Sequence, residues 1–107
     1  MKGLLMAFTP EEAEESAHHL AVVLLPESAD RDLVRASLRG QGVQSSVHYP
    51  PIHGFTAYAD HRAQRPLPRT DSVAARLLTL PLFPHMDENE IALVIESTLT
   101  AVDSESV

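Results

Sequence analysis

The stretch AHHLAVVLLP, residues 17–26, decides the fold, because an apolar run rich in valine and leucine that halts at a proline reads as a buried strand. Working outward, Asp30 stands where a helix N-cap belongs. Leu33, Val34 and Leu38 follow at helical spacing until Gly40 and Gly42 supply stop signals. Val43 to His48 then reads as a second strand. Residues 17–48 are therefore expected to form a compact β, α, β unit with short connections.

Beyond the proline pair Pro50 and Pro51, the spacing of Phe55, Tyr58 and Ala59 predicts a short helix with one apolar face, ending near Arg62. Residues 62–69 read as an exposed connector, after which Thr70 is expected to cap a helix carrying Val73, Ala74 and Leu77. Leu78 to Leu80 predicts a short third strand. Asp87, with Glu90 three residues on, resembles a capping box that opens a last helix, whose core face is expected at Ile91, Val94, Ile95, Leu99 and Val102. Residues 1–16 are acidic and lack a clear period, as a flexible arm or a solvated first helical turn would, and residues 103–107 form a polar tail. The domain is thus residues 17–102, of α+β class: two layers, a sheet of about three strands, and helices chiefly on one face.

A chain of 107 residues fits one domain with a modest core, too small to enclose a large cofactor cavity readily. Cysteine is absent, which removes disulfides and thiolate metal sites. The apolar run Leu20 to Leu25 is far short of a membrane span, and a cytoplasmic soluble protein is expected. The net charge of -7 argues against nucleic acid as a partner. That charge is uneven. Residues 1–30 set Lys2 against six acids and residues 77–107 hold six acids and no base, whereas residues 31–76 hold seven arginines and three aspartates. The basic centre suits either a solvated arginine surface or an anionic small molecule or acidic partner, since guanidinium forks match carboxylate and phosphate geometry.

Within that centre lies His48, Tyr49, Pro50, Pro51, Ile52, His53. Two prolines fix successive φ angles, and a stiff loop leaving a strand presents polar side chains already aimed. Imidazole and phenol both donate and accept hydrogen bonds, and the tyrosine ring adds an apolar face, a combination suited to a sugar. The same residues could instead satisfy nearby backbone groups. Two histidines five residues apart without an adjacent acid fall short of a metal ligand set, and Ser45 and Ser46 lack an activating turn. His18 and His19 are expected on opposite strand faces, one packed and one exposed. His61 and His85, beside expected helix boundaries, receive no role. Lysine occurs once, at Lys2, so imine chemistry with a carbonyl cofactor has no candidate within the expected fold.

The order of these pieces resembles the C-terminal small domain of the DegT/DnrJ/StrS family of pyridoxal-phosphate-dependent sugar aminotransferases. The resemblance rests on Ser16 to Pro26 with Asp30 and Arg31, on GVQSSVHYPPIH (Gly42 to His53) with Tyr58 beyond it, and on LTLPLFPHM (Leu78 to Met86) with the capped helix behind it. It covers about residues 16–102. It implies substrate contact, not catalysis, at His48 and Tyr49, with His53 either touching substrate or bracing the loop. It further implies a nucleotide-linked sugar in a complete site. Pyridoxal phosphate and the catalytic lysine belong to a larger domain that complete members carry, so no cofactor is expected on this chain alone. Expected partners are a lysine-bearing large domain or a second copy. The alternative is a free-standing, noncatalytic module for self-association or protein binding through surface the large domain would otherwise cover.

Overall fold

The computed structural model describes residues 3–61 and 67–105. Its elements run β1 (Leu5–Met6), α1 (Pro10–Glu15), β2 (Ala21–Leu24), α2 (Arg31–Gly40), α3 (Pro68–Arg76), β3 (Leu77–Leu80) and α4 (Glu88–Ser104). Two 3-10 turns, Ile52–Gly54 and Thr56–His61, lie between α2 and α3. The strands form one antiparallel sheet in the order β1-β2-β3, with Val23 opposite Leu78 and Ala21 opposite Leu80. Paired residues share a face, so Val23 and Leu78 point together toward the helices. There they join Leu25, Val43, Val34 and Leu38 of α2, and Ala101 and Val102 of α4 in the core. This is the two-layer α+β architecture expected from the sequence.

Local chemistry sets the helix starts. The Asp30 carboxylate accepts from the amides of Asp32 and Leu33 at 2.9 and 3.2 Å, satisfying donors that the first turn of α2 would otherwise leave free. At α4, Asp87 Oδ1 accepts from the Glu90 amide at 2.7 Å and Glu90 Oε2 from the Asp87 amide at 3.1 Å, a reciprocal capping box. Thr9 and Glu12 make the same box at α1. Residues 3–16 also reach the body of the fold: Leu5 and Met6 pair with Leu24 and Val23, and a Cβ added at Gly3 would come within 2.7 Å of Pro26.

Several expectations need correction. The strand expected over 17–25 is paired only from Ala21, because His18 adopts φ +53° and breaks the pleat; His18 and His19 lie before the strand and both are exposed. No second strand forms over Val43 to His48, so the β, α, β unit is not completed in that form. Ser46 alone pairs with Thr79, by hydrogen bonds of 3.0 and 2.8 Å. The next bonded pairs of such a ladder would fall at Pro81, which has no amide hydrogen, and at Leu77, whose amide already donates to the Val73 carbonyl at the end of α3. Phe55, Tyr58 and Ala59 do not share a helical face; the backbone breaks at Tyr58 (φ −112°), and all three are exposed. Thr70 does not cap α3, which opens at Pro68 with Leu67 as an N-cap that makes no side-chain bond. Most of the expected connector, residues 62–66, lies outside the described residues.

The last helix is also turned differently from its apolar pattern. Val102 is buried, and Val94 and Leu99 are half-buried, as expected, but Ile91 and Ile95 are 44% and 53% exposed while Ser97, Thr98 and Ala101 face inward. Thr98 remains satisfied, its hydroxyl donating to the Val94 carbonyl at 2.6 Å.

Three arginines of the basic centre bind backbone carbonyls. Arg31 donates to the carbonyls of Ala74 and Leu77, tying the start of α2 to the end of α3. Arg35 holds Ser45 through its hydroxyl and its carbonyl, both at 3.2 Å. Arg76 donates to the Leu25 carbonyl at 2.7 Å. Charge-assisted bonds to carbonyls contribute more than neutral ones.

Two predictions test this packing. Leu78→Ala, at a fully buried position, is expected to lower the unfolding free energy by about 2–5 kcal/mol, whereas Ile95→Ala should stay within about 0.5 kcal/mol of the parent; urea denaturation measures both. Arg31→Met should cost about 1.5–3 kcal/mol by the same assay, because the carbonyls of Ala74 and Leu77 lose a charged donor.

Candidate functional site

The loop from His48 to His53 is pinned at both ends. At its start, the backbone pairing of Ser46 with Thr79 brings the half-buried imidazole of His48 over β3, where Nδ1 and Thr79 Oγ1 share a hydrogen bond of 2.9 Å. Which atom donates follows the imidazole tautomer. At its end, His53 Nε2 donates to Asp71 Oδ1 of α3 at 2.8 Å. With Asp71 more than half exposed, water screens this pair, so its role is geometric more than energetic. Between the two pins the prolines limit the chain, and the first 3-10 turn closes with the Phe55 amide donating to the Ile52 carbonyl at 2.9 Å.

Tyr49 is what this arrangement presents. Its side chain is 72% exposed and meets the His48 ring edge-to-face, with centroids 4.8 Å apart and planes at 87°. It lines an open groove of about 380 Å³ together with Pro51, Arg69, Thr70, Val73, Ala74 and Leu77. The groove thus offers an aromatic face, a phenol, a guanidinium and a hydroxyl over an apolar floor. That set suits a polar ligand with apolar ring edges, and an anionic group could reach Arg69.

The three candidate residues therefore differ. Tyr49 is free to meet a ligand; His48 spends one ring nitrogen on Thr79 and has no partner for Nε2 among the described residues; His53 is engaged by Asp71. The two histidines answer to different partners, and among the described residues no group of three or more potential ligands could hold a metal. Ser45 is held by Arg35 and Ser46 by Thr79. Arg69, Thr70 and Asp71 were not singled out as site residues, since nothing in their local pattern says that α3 will pack beside residues eighteen or more positions earlier.

A sequence profile of the DegT/DnrJ/EryC1/StrS aminotransferase family matches residues 1–99, which includes the acidic N-terminal stretch. A UDP-N-acetyl-3-dehydro-alpha-D-glucosamine 3-aminotransferase from Acidithiobacillus ferrooxidans is 34% identical over 84 residues, 78% of this chain and 22% of that protein. A dTDP-4-dehydro-2,3,6-trideoxy-D-glucose 4-aminotransferase from Saccharopolyspora spinosa is 33% identical over 102 residues, 94% of this chain and 25% of that protein. In fold, the chain matches a DegT DnrJ EryC1 StrS aminotransferase from Brucella abortus with a TM-score of 0.74 at 28% identity, covering 92% of this chain and 26% of that one. A sugar aminotransferase from Streptococcus pneumoniae in its pyridoxal-phosphate form superposes with a TM-score of 0.82 over 98% of this chain and 28% of its own, at 23% identity. The chain spans about a quarter of the length of the relatives it matches. Across that quarter it belongs to the DegT/DnrJ/EryC1/StrS family of pyridoxal-phosphate-dependent sugar aminotransferases.

Proposed function

We propose that this chain serves as the small C-terminal domain of a sugar aminotransferase acting on nucleotide-linked keto-sugars, and that it contributes contacts to the sugar rather than the covalent chemistry. The observation that carries this reading is Tyr49, exposed at the mouth of a groove on a loop held by His48 to β3 and by His53 to α3. A binding group positioned before its ligand arrives loses less freedom on binding. In this role the Tyr49 phenol and His48 Nε2 meet sugar hydroxyl or carbonyl oxygens, and His53 acts through the loop it braces.

Pyridoxal phosphate is the family's cofactor, and the described residues do not fit it: none is a lysine, and the groove beside Tyr49 is open. The amine that would hold it then comes from a lysine-bearing portion of the enzyme or from a partner subunit, as in a homodimer. The chain alone would not transaminate. No helix among the described residues is long and apolar enough to cross a membrane, and a cytoplasmic setting suits nucleotide-sugar substrates.

The test places all 107 residues in the Acidithiobacillus ferrooxidans relative in place of its matched region and measures nucleotide-sugar affinity by calorimetry. Tyr49→Phe and His48→Ala are each expected to weaken binding about three- to tenfold, the worth of one hydrogen bond. Asp71→Asn should weaken it as well, at a stability cost under about 1 kcal/mol. Unchanged affinity in both loop variants would remove the loop from the site.

A further inference from the structure

The groove beside Tyr49 holds positive charge that the fold does not consume. Arg31, Arg35 and Arg76 give their guanidinium groups to backbone carbonyls. Arg69 gives its to none: the side chain is exposed, lines the groove and has no hydrogen bond or ion pair among the described residues. The acid nearest to it in sequence, Asp71, stands two positions on along α3, a spacing at which helical side chains do not face one another, and its carboxylate already accepts from His53. Thr70 adds a hydroxyl that is likewise unpartnered among the described residues. Arg31 contributes a second charge from the protein side. Its half-buried guanidinium donates to the carbonyls of Ala74 and Leu77, both of which line the groove, and a partly buried charge is screened less than one surrounded by water.

The polar groups of a keto-sugar are hydroxyls and a carbonyl, which suit the Tyr49 phenol and His48 Nε2 and give a guanidinium nothing ionic to hold. Phosphate does. Its oxygens match the guanidinium fork, and a charged pair of this kind is stronger than a neutral hydrogen bond. A nucleotide-linked sugar carries two phosphates between its ring and the nucleoside. A ring seated on Tyr49 therefore brings its own anionic group to the neighbouring part of the groove, where Arg69 and Thr70 stand.

We infer that Arg69 and Thr70 bind the diphosphate of the nucleotide-linked sugar, and that Arg69 is the residue by which this chain favours that ligand over a free sugar. The inference rests on the proposed role of the Tyr49 groove and adds to it the phosphate end of the ligand. Tyr49 then reads the sugar and Arg69 its charge, so the two residues answer to different parts of one molecule.

The same chimera tests this by calorimetry with UDP-N-acetylglucosamine and with UDP alone, comparing Arg69→Gln with Arg39→Gln, which removes the same charge from the exposed end of α2. Arg69→Gln should weaken both ligands about tenfold and flatten the dependence of affinity on salt, and Arg69→Lys, which keeps the charge and loses the fork, should recover part of the loss. Arg39→Gln should leave both affinities within about twofold of the parent, because an exposed charge away from the groove is screened. Tyr49→Phe should weaken the nucleotide-linked sugar and leave UDP unchanged. A second measurement needs no chimera: in the isolated chain, inorganic pyrophosphate should shift the backbone amide resonances of Arg69 and Thr70, and Arg69→Gln should keep the parent's urea midpoint while losing most of the response at Thr70. Unchanged affinity for UDP in Arg69→Gln, an equal loss in Arg39→Gln, or amides at 69 and 70 that ignore pyrophosphate would each overturn the inference. If Tyr49→Phe and His48→Ala leave sugar affinity unchanged while Arg69→Gln weakens UDP, the sugar contact falls and the phosphate site stands; the reverse pattern removes the phosphate site and keeps the sugar contact.

Discussion

Thr79 is the residue on which both halves of the molecule converge. Its strand pairs with β2 on one side, in the register that aligns Val23 with Leu78, and its backbone holds Ser46 on the other. Its hydroxyl, almost wholly buried, bonds His48. A shift of β3 by one residue would move Leu78 from the core face to the opposite one and, in the same step, displace the partner of the histidine loop. Core packing and the presentation of Tyr49 are thus consequences of one register.

The arginines extend that coupling. A guanidinium placed on a carbonyl gives a strong bond without asking for a buried carboxylate. Arg31, Arg35 and Arg76 use this to join α2 to the α3–β3 junction, α2 to the segment before the loop, and β3's entry to the end of β2. Three of the five described arginines of the basic centre are therefore spent on internal stitching. Arg69 instead lines the groove beside Tyr49.

In α4 the packing reverses what hydrophobicity alone would suggest. Small side chains at 97, 98 and 101 let α4 lie close to α2, and the isoleucines that a free-standing domain would bury stay outside. A surface of that kind is stable in water only at a cost in solubility, and the cost is relieved when another surface covers it.

Signals acting over three or four residues were legible in the sequence. The N-cap at Asp30, the Asp87–Glu90 box and the third strand all emerged as read, and so did the two-layer α+β class and the family, whose motifs are likewise local. The loop His48 to His53 was recognisable as a feature, though not which of its side chains would be free. Those outcomes depended on groups far apart in the chain: His48 meets Thr79 31 residues on, His53 meets Asp71 18 residues on, and Arg31 and Arg76 reach carbonyls 43 and 51 residues away. The failed strand at Val43 to His48 had the same origin, since its ladder was stopped by Pro81, which has no amide hydrogen, and by the Leu77 amide, already given to Val73. Local sequence determines where elements begin and what they are, because caps, prolines and periodicity act through neighbouring backbone groups. Which face is buried, which arginine is spent and which tyrosine is left exposed were decided only when the elements packed and competed for the same donors and acceptors.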